Sequence, residues 1–304
     1  MRPSFALSGT SEPMQPAPSK STAALWMMGW LSLMLTVAIA GRQVGRELNV
    51  FQLMEVRSVL GFAMIYPLIH GIGGLRAMRT ARLRLHLVRN LIHYLAQLGW
   101  FFSLTLIPLS QLVSLEFTMP IWTAVLAASF LGERLTTRKA VAIGFGILGV
   151  FIIVRPSAGS VNVGQLTALA AAVGFALSVI AVKALTRTEP VLVILFWMLV
   201  IQSVIGLVPA IEVWQWPSNR AWGWLVVVAF AGTFSHYCMA RAMQYADATV
   251  VVPMDFLRVP LTAGAGWLIY SEQLDGYSVF GAALILGGNL LNLKTVPVPR
   301  AVQA

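Results

Sequence analysis

Residues 108–135 read PLSQLVSLEFTMPIWTAVLAASFLGERL, and this stretch decides the fold because the chain contains a second copy of it. Residues 252–274, VPMDFLRVPLTAGAGWLIYSEQL, align with it without gaps at an offset of 139 residues. The alignment matches Asp255 with Glu116 in the middle of an apolar run. Chance similarity of two apolar helices explains matched leucines and alanines. An acidic residue is costly in a membrane, so its recurrence indicates a genuine repeat.

The composition is that of an integral membrane protein. Of the 304 residues, 58% are hydrophobic and 11% are charged, and the mean hydropathy is +0.79. A soluble domain carries about 25% charged residues, so this chain lacks the polar side chains needed to cover a water-exposed surface. One cysteine excludes internal disulfides, and four scattered histidines predict neither a metal site nor a cofactor.

Recurrent apolar runs predict the fold class, an all-α integral membrane protein with ten transmembrane helices. Each run is long enough to cross about 30 Å of hydrocarbon at about 1.5 Å per residue. Residues 1–21 are rich in proline and polar side chains and predict a disordered tail. The expected spans are 22–41, 51–70, 87–106, 110–131, 138–154, 164–183, 190–211, 221–240, 247–270 and 277–293.

The distribution of basic residues predicts the orientation of the chain. Along the predicted loops and tails, 14 of the 21 Lys and Arg residues fall on one side of the membrane and 4 on the other. Cytoplasmic loops accumulate lysine and arginine, so both termini are expected in the cytoplasm. The basic loops are short and dispersed, which argues against nucleic acid as a partner and leaves the lipid bilayer and a small molecule.

The repeat predicts an inverted architecture. Each copy contains five spans, an odd number, so the second copy crosses the membrane in the opposite sense. The first five-helix unit is expected at 22–154 and the second at 155–293, followed by a cytoplasmic tail at 294–304. Inverted repeats place a binding site near the midplane and permit alternating access, which favours a transporter.

Two other classes of protein were weighed against the transporter. An intramembrane enzyme is disfavoured because the chain contains no nucleophile elbow, no metal-binding His-Glu-x-x-His and no nucleotide-binding loop. A channel or a scaffold is disfavoured by the inverted repeat. Without a nucleotide-binding loop, transport is expected to draw on gradients. The sequence predicts no particular oligomeric state.

The motif residues resemble a known family. Over residues 22–293 the chain is similar to the EamA family of the drug/metabolite transporter superfamily, on Pro108-Leu109-Ser110, Glu116, Pro120, Leu131-Gly132-Glu133-Arg134-Leu135 and the weaker Tyr270-Ser271-Glu272-Gln273-Leu274. The resemblance implies a multi-pass carrier of the cell inner membrane with a central cavity. It implies export of a small zwitterionic metabolite, such as an amino acid or an amino-acid-derived metallophore. The alternative is uptake of a nucleotide-like or vitamin-like solute such as S-adenosylmethionine or riboflavin.

Charged residues inside the predicted spans are the candidate substrate contacts. Glu116, Asp255, Arg258 and Arg57 are expected to face a shared cavity, because a charge in a membrane needs a partner or water. There the ammonium group of a zwitterion would contact the carboxylates, and its carboxylate would contact an arginine. An ion pair between Asp255 and Arg258, spaced i, i+3, is the alternative. A desolvated carboxylate also suggests possible proton coupling.

An apolar cavity wall is expected beside these charges, formed by Phe117, Met119, Trp122 and Phe256. For each of these, contact with lipid or with the protein core is the alternative. Trp30 lies near a span end and is expected in the interfacial aromatic belt, whereas Arg89 is expected to reach the lipid headgroups. Glu55 points away from Arg57 on the same helix, and for each of the two both a bridge to another helix and a substrate contact remain open. Glycines in spans five and ten are expected to allow close helix packing.

Overall fold

The computed structural model describes residues 19–131, 137–155, 162–185, 188–245, 251 and 254–293, and these residues form helices and loops without a strand. The motif residues Gly132-Glu133-Arg134-Leu135 lie outside the described residues, and so do Pro253 and nearly all of the two predicted tails. The helices are α1 (Lys20–Val44), α2 (Val50–Gly71), a 3-10 helix (Gly74–Met78), α3 (Leu83–Leu106), α4 (Leu109–Glu116), α5 (Met119–Leu131), α6 (Thr137–Val154), α7 (Val163–Leu185), α8 (Val191–Glu212), α9 (Asn219–Tyr245), α10 (Arg258–Tyr270) and α11 (Gly276–Leu293).

Polar residues fix the starts of the first two helices. The Ser19 side chain accepts a hydrogen bond from the Thr22 N–H at 3.3 Å, and Asn49 accepts one from the Phe51 N–H at 3.0 Å. Such caps satisfy N–H groups that have no partner within the helix. Ser271 ends α10 with a positive φ of 54°, in the left-handed region.

The predicted fourth and ninth spans are interrupted. Turn residues Phe117 and Thr118 separate α4 from α5, and turn residues Phe256 and Leu257 precede α10 after the helical residues Met254 and Asp255. The two interruptions are 139 residues apart, as the repeat requires. Prolines follow within three residues of each, at Pro120 and Pro260. Proline lacks an N–H donor, so each span loses backbone hydrogen bonds near its middle.

The helices pack in a small set of pairs. The main ones are α1 with α9, α3 with α7, α6 with α11 and α2 with α8. The α6–α11 pair is close because glycines face each other: a Cβ atom added at Gly149 would lie 2.6 Å from the Gly281 carbonyl oxygen. Gly144 and Gly287 on the same helices face open space, so the expectation of close packing holds for only some of these glycines.

The outer surface is apolar. Large side chains such as Val204, Val208 and Leu268 are between 63% and 74% exposed, which suits contact with lipid. Among the described residues, four helices are long and apolar enough to cross a membrane, namely Lys20–Val44, Val50–Gly71, Val163–Val182 and Val191–Glu212. Ala140–Val154 and Gly276–Leu291 are shorter apolar helices.

Candidate functional site

Three charged side chains meet where the two interrupted spans face each other. The Arg258 Nη2 atom donates to Glu116 Oε1 at 2.8 Å and lies 3.5 Å from Asp255 Oδ2. We call these three residues the carboxylate–arginine centre. The local pair expected between Asp255 and Arg258 is therefore the longer of two contacts. The shorter one joins the two copies of the repeated segment.

The interruptions position these side chains. Glu116 is the last residue of α4 and Arg258 the first residue of α10, so each charge sits at a helix end. The Phe117 carbonyl, freed by the turn, accepts a hydrogen bond from Asn289 Nδ2 at 2.7 Å. A backbone carbonyl inside a membrane must be satisfied in this way, so the turn is held by α11.

Two tryptophans hold the remaining carboxylate oxygens. Trp100 Nε1 donates to Glu116 Oε2 at 2.8 Å, and Trp30 Nε1 donates to Asp255 Oδ1 at 2.6 Å. Trp30 is 8% exposed, so its assignment to the interfacial belt is wrong. Sequence reasoning missed both residues because the position of an indole in a span does not reveal what its N–H contacts.

An aromatic wall lines one side of the centre. The Arg258 guanidinium carbon lies 4.9 Å from the centroid of the Phe117 ring, a cation–π contact. The Phe256 ring meets Phe117 edge to face, with centroids 5.4 Å apart. Met119 and Trp122 are half-buried, and Trp122 donates a hydrogen bond to Thr118. Among the described residues, no hydrogen bond or ring contact joins Met119 or Trp122 to the centre.

Arg57 and Arg89 are buried apart from the centre. Arg57 Nη2 donates to Gln97 Oε1 at 2.9 Å and to Gln202 Oε1 at 3.2 Å, and no hydrogen bond among the described residues links it to the centre. Arg89 is 6% exposed and donates to Asn90 Oδ1 at 2.6 Å. The expectation that Arg89 reaches the headgroups is therefore wrong.

The centre carries a net charge and contains donor groups without a hydrogen-bond partner. Two carboxylates and one guanidinium give it a formal charge of minus one. Within the described residues, the Nε and Nη1 atoms of Arg258 have no hydrogen-bond partner although the side chain is only 5% exposed. Two donor groups of Arg258 are therefore left without a partner among the described residues. Removing one member of such a buried set costs about 3–5 kcal/mol, because it leaves a charge uncompensated.

Another buried arginine, Arg42, links helices at one end of the molecule. Arg42 at the end of α1 donates from Nε to the Leu104 carbonyl at 2.5 Å, from Nη2 to the Ile107 carbonyl, and from Nη1 to Glu272. Glu272 in turn accepts a hydrogen bond from the Leu109 N–H at 3.0 Å. We call this network the Arg42–Glu272 tie. It connects α1, α3 and α4 to the loop after α10.

Tyr270 strengthens the same end. Its ring lies under the guanidinium groups of Arg42 and Arg46, at 4.8 and 5.1 Å from its centroid. Its hydroxyl donates to the Ile39 carbonyl at 3.1 Å. Arg155 also pairs with Asp275 in this region. Tyr270 stands where the first copy of the motif has Leu131. Its contacts with the two arginines explain why an aromatic residue is useful there.

The described residues contain no group of three or more His, Cys, Asp or Glu side chains that is arranged to hold a metal ion.

Comparison with known proteins adds the family. The model of the EamA-like transporter family matches residues 21–155 and again residues 162–294. An S-adenosylmethionine uptake transporter from Rickettsia prowazekii is 25% identical, covering 86% of this chain and 90% of the relative. A riboflavin transporter from Rhizobium johnstonii is 31% identical, covering 77% and 78%. The pseudopaline exporter CntI from Pseudomonas aeruginosa is 26% identical, covering 81% and 86%.

Proposed function

We propose, because the chain belongs to the EamA-like transporter family, that it moves a small zwitterionic metabolite with an amino-acid end across the cell inner membrane by alternating access. Family membership makes the chain a multi-pass membrane transporter and not an enzyme. The observation that carries the substrate class is the carboxylate–arginine centre. Its formal charge of minus one favours a positively charged group on the solute.

The proposed architecture is ten spans in two inverted five-helix units, 22–154 and 155–293, with both termini in the cytoplasm. The matching interruptions at Phe117–Thr118 and Phe256–Leu257 support it. So does the packing, because exchanging the two units turns the α1–α9 pair into the α3–α7 pair and leaves the α2–α8 and α6–α11 pairs unchanged. Two separate matches to one family model are a third support.

Thiol labelling tests this topology. In a Cys238→Ser background, Arg138→Cys and Gln273→Cys place single thiols at exposed sites after the fourth and ninth spans. A membrane-impermeant maleimide added to intact cells is expected to label Gln273→Cys and not Arg138→Cys. Labelling of both, or of neither until the cells are opened, would contradict an inverted repeat.

S-adenosylmethionine is the first substrate to test. It carries an α-amino-acid end and a positively charged sulfonium, which suits a negative centre beside an aromatic wall. Riboflavin is the second, because a riboflavin transporter is 31% identical to this chain. Riboflavin has no cationic group, so the charge of the centre favours the first.

Reconstituted vesicles test the function. Purified protein is expected to exchange radiolabelled S-adenosylmethionine across the vesicle membrane, and Glu116→Gln and Asp255→Asn are each expected to slow exchange at least about tenfold. Glu212→Gln, an exposed exchange at the end of α8, is the matched control. Exchange of riboflavin but not S-adenosylmethionine would overturn the zwitterion class. Full activity in both centre variants would show that the centre is only structural.

Proton coupling and direction need separate measurements. The relatives named above include one uptake transporter and one exporter. We propose export, driven by proton entry through Glu116 or Asp255. A pH-sensitive dye inside the vesicles is expected to report proton movement with the substrate, and deletion of the gene is expected to raise the substrate inside cells. Substrate movement without proton flux would exclude the coupling.

A further inference from the structure

A second group of buried polar side chains lies where α2, α3 and α8 meet. We call it the α2–α3–α8 cluster, and its members are Glu55, Arg57, Tyr94, Gln97, Gln202 and Ser203. Glu55 and Arg57 are each 5% exposed. Glu55 Oε1 accepts a hydrogen bond from Ser203 Oγ at 2.5 Å, while Arg57 is held by the two glutamine oxygens.

Glycines on neighbouring helices let both charged side chains pack directly against the helix backbone. A Cβ atom added at Gly206 of α8 would lie 2.9 Å from Glu55 Oε2 and 3.0 Å from the Tyr94 hydroxyl. A Cβ atom at Gly232 of α9 would lie 3.5 Å from Arg57 Nη1. The acidic group, the hydroxyl and the guanidinium therefore face helix backbones that carry no side chain at these points.

The cluster is only partly satisfied by the protein. Within the described residues, four of its buried atoms have no hydrogen-bond partner: Glu55 Oε2, Arg57 Nε, the Tyr94 hydroxyl and Gln202 Nε2. Glu55 and Arg57 form no ion pair with each other there. A buried unpaired ion costs several kcal/mol, and a direct pair would offset much of that cost. Opposite charges that are buried and held apart are complementary to a zwitterion placed between them.

Arg57 and Arg258 differ in what surrounds them. Arg258 has two carboxylates within 3.5 Å, so its charge is already compensated. Arg57 is hydrogen-bonded only to neutral amide oxygens. A guanidinium binds a carboxylate through two parallel hydrogen bonds, and of these two arginines only Arg57 has no carboxylate partner among the described residues.

We propose that the α2–α3–α8 cluster is the binding site for the α-amino-acid end of the transported metabolite, an inference that rests on the proposed function. Arg57 binds the substrate carboxylate, and Glu55 with Tyr94 binds the ammonium group. Gln97 and Gln202 hold the guanidinium in position. The carboxylate–arginine centre then binds the second positive charge of the solute, which is the sulfonium in S-adenosylmethionine.

Two ligands that differ in one group test the assignment. S-adenosylmethionine and decarboxylated S-adenosylmethionine differ only in the carboxylate. The full-length protein in lipid nanodiscs is expected to bind the former about 10- to 100-fold more tightly, the range for a hydrogen bond to a charged group. Arg57→Gln is expected to abolish this preference, while Glu116→Gln weakens both ligands and preserves it.

Gln202→Glu separates binding from folding. The new carboxylate would pair with Arg57, so this variant is expected to be at least as stable as the wild type and still to lose the preference for the carboxylate. Gln165→Glu, a similarly buried exchange on α7, is the matched control and should keep the preference. A cluster with a purely structural role would leave binding by Gln202→Glu unchanged.

The outcomes separate the two proposals. Loss of the preference in Arg57→Gln and in Gln202→Glu, but not in Gln165→Glu, supports the cluster as the amino-acid site. A preference that persists in either cluster variant overturns this assignment and leaves the proposed function intact. A wild-type protein that binds neither ligand removes the proposed substrate class, and the assignment fails with it.

Discussion

Two indole N–H groups set the chemistry available at the carboxylate–arginine centre. Trp100 and Trp30 each hold one carboxylate oxygen, and Arg258 lies near another oxygen of each carboxylate. A carboxylate held in this way is fixed in orientation. The tryptophans are therefore positioning residues for Glu116 and Asp255.

Trp100→Phe tests that role. The change removes one donor to the Glu116 carboxylate and keeps most of the aromatic surface, so we expect substrate exchange to fall about tenfold. Trp216→Phe, at a site that is 82% exposed, is the control. Unchanged exchange in Trp100→Phe would contradict a role in positioning Glu116.

Glu189, in the loop between α7 and α8, gives a pH-dependent prediction for stability. Burial raises its pKa, but hydrogen bonds with Thr80 and His86 outweigh burial and hold the pKa below its usual range. A lowered pKa stabilises the folded state above the unfolded pKa, and this contribution is lost as the pH falls through the folded pKa.

We expect Glu189→Gln to lower stability at pH 7 by about 1–2 kcal/mol, measured as a fall in Tm. The difference from the wild type should narrow as the pH is lowered through the folded pKa of Glu189. Glu212→Gln is an exposed comparison. A difference in Tm that stays constant down to acidic pH would show that the charge of Glu189 is not its cause.

At the residue scale, the sequence predicts the charges better than their partners. The match between Glu116 and Asp255 correctly indicates that both belong to one centre with Arg258. It does not reveal that Arg57 is held elsewhere by amides, because helix periodicity fixes the face of a residue and not the helix packed against it. Arg89 shows the same limit, since a span end in the sequence is not always exposed in the packed molecule.

Among the elements, the two interrupted helices are marked by features of the sequence. Prolines and acidic residues inside apolar runs mark both interruptions, and the turns fall two residues before Pro120 and three before Pro260. Within the part of the chain that the structure describes, helix ends lie within about five residues of the ends of the apolar runs, because apolar side chains favour the lipid environment. The glycines were less informative, since a glycine in a sequence does not show whether another helix approaches it.

Gly149→Ala tests the close packing of α6 against α11. The added methyl group would lie 2.6 Å from the Gly281 carbonyl oxygen and 2.7 Å from an Ile285 side-chain carbon, so the helices must separate. We expect a loss of about 1–3 kcal/mol, read as a fall in Tm in detergent. Gly144→Ala on the same helix meets nothing within 4 Å and should leave Tm unchanged or higher. Equal effects of the two changes would contradict the packing argument.

For the whole molecule, the Arg42–Glu272 tie is a contact that links the two family-model matches at one end. It joins helices of the first unit to a loop of the second, so it must break if the units separate at this end. The sequence places Arg42 near a predicted span end and Glu272 in a motif, but gives no sign that the two meet. Long-range pairing of this kind follows only from the packing of the units.

Arg42→Gln is expected to favour the state open at this end. In a Cys238→Ser background, Ile107→Cys puts a thiol at a site that is 4% exposed, beside the tie. We expect a membrane-impermeant maleimide added outside the cells to label it roughly tenfold faster when Arg42→Gln is present, the effect of about 1.4 kcal/mol on an opening equilibrium. Labelling of exposed Gln273→Cys should not change. Equal rates at position 107 would show that the tie does not control opening.

The Arg42–Glu272 tie also has a consequence for the energy balance of the cell. All three guanidinium nitrogens of Arg42 donate hydrogen bonds in a buried site. Breaking these hydrogen bonds costs free energy, which the binding of a solute can offset and an empty carrier cannot. An empty carrier in which the Arg42–Glu272 tie stays intact is expected to pass neither metabolites nor protons between transport cycles. Cells that express a variant without the Arg42–Glu272 tie should therefore lose membrane potential and grow more slowly, even when the transported solute is absent.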